Sequence, residues 1–351
     1  MRILYIIPSL VQSGPINVVA DLVNVMTAHG HMCDVAYFDE NSDRSICKFP
    51  CPTFNVAKID WQNYDIIHTH CFRPNLFARL KMPKRLRPHL VSTMHNLMFD
   101  ENAILHGKIK GYLYSSLELW AVKKHPNIIV LTEFAKNYYK NLLPNKQLHV
   151  CYNTRVITPA APDSDDVKLI TQFQQDSQLE YLIGTHCSVI QRKGLDQVIS
   201  ALEQLPNIGF IIIGDGPESA NLEKEAHKRN VSHRLLMMGH RSNASRYLPL
   251  FDMFVIPSRS EGFPLGLLEA ASMGIPSLSS DIEIFKETFP EDDTLPKFSL
   301  DNTDSLVQKI KLVLKNKDTY GKNIRRKYNE NYSPEIFYQQ HINVYNQILN
   351  K

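Results

Sequence analysis

Cysteine is scarce in this chain, and none of it is arranged for chemistry. Among 351 residues there are six cysteines, at positions 33, 47, 51, 71, 151 and 187, and no two form a C-x-x-C pair. That excludes a zinc ribbon and gives no disulfide framework. A chain of this length needs no covalent staples, so free thiols in a reducing cytosol are expected. Long apolar runs are also missing. A membrane-spanning helix needs about 18 such residues, and the longest run, around Gly209-Phe210-Ile211-Ile212-Ile213, has the size of a strand. The opening MRILYIIPSLVQSGP is too short in its apolar part, and lacks the small-residue cleavage site, for a signal peptide. It reads as a buried first strand. Neither sign of charge dominates: 39 Lys and Arg stand against 36 Asp and Glu, for a net +3. That excludes a dedicated nucleic-acid binder and leaves room for a local basic patch. No repeat of fixed period is present.

What is present is a grammar of short apolar runs, each followed by a turn and a helical pattern. Runs at 3–7, 32–38, 66–68, 90–94, 127–131 and 148–152 read as strands. They are apolar throughout, which predicts a parallel sheet covered on both faces. The stretch 158–178 breaks the pattern with Pro159, Pro162, the acidic run Asp163-Ser164-Asp165-Asp166 and several glutamines, and is expected to be a linker. The grammar then restarts, with strands expected at 182–190, 208–213, 234–238, 253–256 and 275–279 and helices at 195–205, 217–230 and 265–273. The length suits two α/β domains, with boundaries expected at 1–160 and 161–333. A last helical pattern, 334–349, carries Ile336, Phe337, His341, Val344, Tyr345 and Ile348 on one broad face. Two doubly wound domains bind ligands at the carboxyl ends of their strands.

Four loops could carry chemistry. In the first, Gly14 follows a strand and opens a helix, with Ser13 as the expected cap and Pro15 at the first helical position. It is either a turn glycine or an anion site. In Ile213-Gly214-Asp215-Gly216-Pro217 the third glycine of a dinucleotide fingerprint is absent. Nucleotide contact and a tight turn capped by Asp215 remain open there. Gln191-Arg192-Lys193-Gly194 puts two cations at the mouth of a strand, where a diphosphate or plain solvent suits them. If that segment is extended, Arg192 and Lys193 diverge. The fourth is sharper. Glu261 precedes a helix that begins near Pro264, and Glu269 lies inside that helix among Leu265, Leu268, Ala270 and Ala271. A carboxylate on a buried helix needs donors, and sugar hydroxyls are donors. The amides of Phe263 and Leu265 at the same helix end suit a phosphate.

The stretch Glu261-Gly262-Phe263-Pro264-Leu265-Gly266-Leu267-Leu268-Glu269-Ala270 resembles the E-x7-E signature of the retaining family 4, or group 1, glycosyltransferases. The resemblance extends over nearly the whole chain. Ser13-Gly14, Asp65-Ile66-Ile67-His68-Thr69-His70, Thr93-Met94-His95-Asn96, Tyr152-Asn153, Lys193-Gly194 and Gly214-Asp215-Gly216-Pro217 stand at its other motifs. It implies the GT-B fold, two Rossmann-like parallel-sheet domains facing a central cleft, with the C-terminal helix 334–351 crossing back onto the first. It implies that Glu261 binds donor-sugar hydroxyls and Glu269 the ribose. Lys193, helped by the amides at Gly14, Phe263 and Leu265, would meet the diphosphate, Arg192 and Gly214 would also belong to the donor-nucleotide site, and Gly239 and His240 would lie along the base. His95, Glu261 and Lys193 would be the catalytic set, and His68, His70 and Asn96 the acceptor side. Two positions depart from the pattern. Ser188 stands where a second diphosphate clamp, an Arg, is usual, and Ser13 where a second glycine is common.

The implied reaction is metal-independent, needs no cofactor, and moves sugar with retention from a nucleoside diphosphate donor, expected to be UDP-linked. The acceptor would be a saccharide or polyprenyl-linked glycan in bacterial capsule, O-antigen or lipopolysaccharide assembly. Charge developing on the leaving phosphate would be met by Lys193 and helix-end amides. A sugar-nucleotide epimerase of the same fold and a non-catalytic partner are the alternatives. Asp163-Ser164-Asp165 is formally a D-x-D metal motif but lies in the expected linker, where solvated charge fits better. Arg79, Lys81, Lys84, Arg85, Arg87 and His89, with Lys108, Lys110, Lys123 and Lys124 beside an apolar helical stretch, form a basic surface. It is either a solvated face or a site for an anionic membrane, on the inner side of the cytoplasmic membrane.

Overall fold

The computed structural model describes residues 1–39, 46–157 and 160–350. Of the stretch read as a linker, Thr158 and Pro159 lie outside the described residues, as does Lys351 of the last helix. The chain divides into two compact units. The first holds the residues up to Val156 and those from Tyr332 onward, and the second runs from Ile157 to Asn331.

In the first unit seven strands form one wholly parallel sheet: β1 Arg2–Ser9, β2 Met32–Asp39, β3 Thr53–Asn55, β4 Ile66–His70, β5 Leu90–Met94, β6 Asn127–Val130 and β7 Gln147–Val150. Their order is β3-β2-β1-β4-β5-β6-β7. Every residue of β4, β5 and β6 is buried, the polar His68, Thr69, His70, Ser92, Thr93 and Asn127 included, as suits central strands of a parallel sheet. The second unit repeats the plan with β8 Tyr181–His186, β9 Ile208–Ile213, β10 Leu235–Gly239, β11 Met253–Ile256, β12 Ser277–Ser280 and β13 Lys297–Phe298. Their order is β10-β9-β8-β11-β12-β13, again all parallel. In each sheet the order of strands reverses beside its first strand, between β1 and β4 and between β8 and β11. At such a switch point the loops leave on opposite faces and open a crevice.

Two edge strands and the linker differ from the reading of the sequence. The edge strands β3 and β13, two or three residues long, carry too little pattern to be seen. The linker is mostly a helix, Ser164–Asp176. Its acidic run starts that helix: the Asp163 side chain accepts the Asp165 N–H at 3.0 Å, an N-cap bond. Asp166 is tied to Arg241 by two bonds of 2.8 and 2.9 Å and also accepts from Tyr247. The Arg241 bonds hold its carboxyl below the usual range. Asp163 and Asp165 of the formal D-x-D are thus occupied with capping and with Lys168, 2.9 Å away.

The last helix, Pro334–Leu349, buries Phe337, His341, Val344, Tyr345 and Ile348 against the first unit. Tyr338 stacks on His29 with ring centroids 3.6 Å apart, and the Tyr345 hydroxyl lies 2.7 Å from Nδ1 of His68.

Candidate active site

The residues picked out from the sequence fall into two groups, one in each unit. In the second unit the loop after β11 carries Glu261. Its Oε1 accepts from Lys193 Nζ at 2.6 Å and from Ser258 Oγ at 2.6 Å, and Arg192 Nη1 stands 3.5 Å from Oε2. The carboxylate side chain is only 5% exposed. Burial pushes its proton affinity up, but the two cations outweigh it and hold Glu261 below the usual carboxylate range.

Arg192 and Lys193 converge here, contrary to the divergence expected of an extended segment. β8 ends at His186, well short of 190, and Gln191–Lys193 winds into a short 3-10 helix. Gly194 then turns left-handed at φ +64°, where a Cβ would lie 2.1 Å from the Pro257 carbonyl oxygen. One backbone bond and one side-chain bond tie this loop to that of Glu261: Arg259 N–H donates to the Arg192 carbonyl at 2.8 Å, and Arg192 Nη1 donates to the Ser260 carbonyl at 2.9 Å. The Arg259 guanidinium adds a bidentate pair with Asp196 at 2.9 and 2.7 Å.

Glu269 sits on the helix Leu265–Met273 and is 8% exposed. His186, at the carboxyl end of β8, brings Nε2 to 3.1 Å from Glu269 Oε2. Sequence reasoning missed His186. The signal was its position, a polar residue at the mouth of the first strand of a doubly wound unit. The amide of Leu265 is spent on the Phe263 carbonyl, 3.0 Å away. This corrects the expectation that it faces a phosphate. Pro264 occupies the cap position rather than the first turn.

The glycines around this site are there for close approach. At Gly214, φ +145°, a Cβ would fall 1.8 Å from the Cys187 carbonyl oxygen, and at Gly216 2.2 Å from that of Val189. Gly214 N–H bonds to the Gly239 carbonyl at 2.9 Å, and Gly239 itself has φ +69°. The loops after β8, β9 and β10 are zipped together in this way. Asp215 accepts from its own turn, the Gly216 N–H at 2.7 Å. His240 follows Gly239, and its carbonyl accepts from Arg241 at 3.2 Å. Ser188 is exposed.

In the first unit Gly14 opens the helix Gly14–Ala28 beside the end of β1. Ser13 holds the cap position but its side chain makes no cap bond. Its carbonyl instead accepts the Asn17 N–H at 2.9 Å. His70 ends β4, and its Nδ1 lies 3.0 Å from Nε2 of His95. Burial lowers both imidazoles, His95 to about 4, so both are neutral at pH 7. His68 is another matter. It has no exposed surface, and its two nitrogens meet Tyr345 and Thr93, each at 2.7 Å. Neither ring nitrogen is left for an acceptor, so the acceptor role expected of His68 is corrected to a core one. The Asn96 carbonyl accepts from Tyr139 at 2.7 Å.

Two parallel switch-point sheets, one bearing a buried carboxylate under two cations, define the GT-B class. Solved structures bear this out at the level of fold. Sucrose-phosphate synthase from Thermosynechococcus elongatus superposes with a TM-score of 0.77 over 99% of both chains at 17% identity. HepE of Anabaena, in complex with UDP and glucose, does so with 0.77 over 99% of this chain and 100% of that one at 16%. Residues 173–332 match the family model described as glycosyl transferases group 1, and residues 13–154 that of glycosyltransferase family 4. The chain belongs to the group 1 glycosyltransferases. Among its relatives, the O-antigen biosynthesis glycosyltransferase WclY of Escherichia coli is 27% identical over 99% of both chains. The UDP-Gal:alpha-D-GlcNAc-diphosphoundecaprenol alpha-1,3-galactosyltransferase of Escherichia coli is 26% identical over 63% of this chain and 59% of that one.

Proposed function

We propose that this glycosyltransferase moves a sugar with retention from a UDP-linked donor to a lipid-linked saccharide during bacterial surface polysaccharide assembly. The observation that carries the reading is Glu261 under Lys193 and Arg192. A donor diphosphate brings about two negative charges and draws both cations toward itself. Glu261 is then released to accept from sugar hydroxyls, which it does best when ionised. The bond from the anomeric carbon to the diphosphate oxygen breaks, and the acceptor oxygen bonds to the same face. The acceptor proton passes to the leaving phosphate oxygen. Lys193 and Arg192 meet the charge on that phosphate, so the step uses no metal and no cofactor. Glu269 takes the ribose, and neutral His95 is the group assigned from the first unit. The UDP complex of HepE and the UDP-Gal relative support UDP as the carrier. The relatives' roles in O-antigen assembly support the class of product.

Lys193→Ala and Glu261→Gln should each abolish transfer from UDP-sugars while far-UV circular dichroism stays unchanged. Turnover near wild type in either would refute the assignment. A thermal-shift screen of nucleoside diphosphates should show UDP raising the melting temperature most, since ligand binding to the native state alone stabilises it.

The acceptor carrier also favours a membrane surface as partner, and the helix Lys108–Val122 supports this. It is inside out. Gly111, Ser115 and Glu118 are buried, while Ile109, Tyr112, Leu113, Leu117 and Trp120 face outward, Ile109 at 79% exposure. The small inner residues let it approach the helix Met98–His106 closely: a Cβ on Gly111 would lie 2.4 Å from the Asn102 carbonyl oxygen. Asn102 Nδ2 donates to Ser115 Oγ at 3.0 Å. Lys108, Lys110, Lys123 and Lys124 flank the apolar face, as suits an in-plane helix on anionic lipid. No helix among the described residues is long and apolar enough to cross a membrane. The protein should float with vesicles containing phosphatidylglycerol and not with pure phosphatidylcholine. The double variant Leu113→Glu, Trp120→Glu should not float. Equal recovery with both vesicle types would count against the anionic surface.

A further inference from the structure

His186 is a titratable side chain at the carboxyl end of the second unit's sheet, and the proposed mechanism gives it no task. It ends β8, and its Nε2 stands 3.1 Å from Glu269 Oε2, the two side chains being 12% and 11% exposed. Its ring leans on Phe254, with centroids 5.3 Å apart. The space it occupies exists because residue 266 is glycine. A Cβ there would lie 3.2 Å from His186 Cε1 and 3.3 Å from Phe254 Cζ. Both atoms belong to packed rings, so even a methyl group is tight and a branched side chain would move the imidazole. Gly266 has no left-handed backbone to explain it, and its value here is the room it leaves.

We infer that His186 is a positioning residue for Glu269, seated by Gly266, and that together they set the affinity for the nucleoside part of the donor. This rests on the reading that Glu269 takes the ribose hydroxyls. The physical case is the carboxylate's burial. A carboxyl group with so small an exposed area needs fixed polar neighbours. His186 Nε2, 3.1 Å from Oε2 but not aligned as a hydrogen bond, sets a polar wall beside that oxygen and limits where the carboxylate can move. A wandering carboxylate would have to be ordered by the ligand itself, and that lowers affinity.

The test is calorimetric titration of the full chain with UDP. His186→Ala should raise the Kd about tenfold. His186→Gln keeps an N–H near the position of Nε2 and should stay within about threefold of wild type. Gly266→Val should weaken binding about as much as His186→Ala, although it removes no polar atom. Adding His186→Ala to Glu269→Ala should cause no further loss. With a sugar donor, the loss in His186→Ala should appear in KM, with kcat nearly unchanged. Thermal melts of every variant confirm folding. A Kd within twofold of wild type for His186→Ala would overturn the inference. So would the full loss persisting in the Glu269→Ala background, or no rescue by glutamine. A wild-type chain that binds no UDP, or a Glu269→Ala variant that binds it as wild type does, would instead overturn the ribose reading, and this inference with it.

Discussion

Glu118 shows at the residue scale how burial converts into a pH dependence. It lies on the inner face of its helix, and burial, with Glu101 adding to it, pushes its carboxyl up to about 7. In the unfolded chain the group titrates near its ordinary value, about 4.3. Between these values the native state binds more protons than the unfolded one, so stability falls as pH rises toward 7. Glu118→Gln should remove this slope and stabilise the protein at pH 8 by about 1–3 kcal/mol. Melting curves of the two proteins from pH 5 to 8.5 measure it, and parallel curves would contradict it. Lys193 and Glu261 couple in the opposite sense. Removing Lys193 leaves a buried carboxylate with Arg192 as its remaining cation, so Lys193→Ala should destabilise the second unit by about 2 kcal/mol or more. Glu261→Gln in the same background should restore most of that loss in urea unfolding. Both acidic residues of this site were legible in the sequence, because their spacing around Pro264 belongs to a strand-loop-helix motif. His186 was not, because its partner is set by where the helix Leu265–Met273 comes to rest over the end of β8. Arg192 was misread for a similar reason. Its direction depends on a left-handed Gly194 pressed against Pro257, a contact across 63 residues of sequence.

At the scale of elements, central strands announce themselves and edges do not. β9 is buried at all six positions and reads as an unbroken apolar run, whereas Lys297–Phe298 offers two residues. The helix Ser164–Asp176 escaped because polar residues dominate it and two prolines precede it. Its place is fixed by Asp166 reaching Arg241, a contact that composition does not reveal. Loop glycines carry a comparable constraint. Gly214 combines φ +145° with the Cys187 carbonyl at 1.8 Å from any Cβ, so backbone strain and collision add. Gly214→Ala should cost at least about 3 kcal/mol and loosen the junction of the β8, β9 and β10 loops. Chemical unfolding of the full chain, with UDP titration alongside, tests both effects. A change under about 1 kcal/mol would show that the junction yields without penalty.

For the whole molecule the distribution of histidine decides the response to acid. Burial holds His68, His70, His95, His125 and His341 neutral, with His95 and His341 lowered to about 4 and His125 to about 3. All five belong to the first unit. Each binds a proton more readily unfolded than folded below about pH 6.5, so stability is full above that value and is lost as pH falls toward the native values. The first unit should therefore unfold first on acidification. Trp61 and Trp120 are the chain's two tryptophans and both lie in it. Their emission should shift before far-UV dichroism is fully lost, and a single coincident transition would count against the two-step response. By itself the sequence determined two parallel-sheet units and the carboxylate and cation motifs of the site, because apolar runs and loop spacing act over a few residues. The tertiary structure alone decided what several polar groups do. Tyr345, 277 residues away in sequence, turns His68 from a ligand group into a core group. Arg241, 75 residues from Asp166, fixes the place of the helix that the acidic run starts. A polar side chain's role is fixed by the partner that desolvates with it, and only folding brings that partner near.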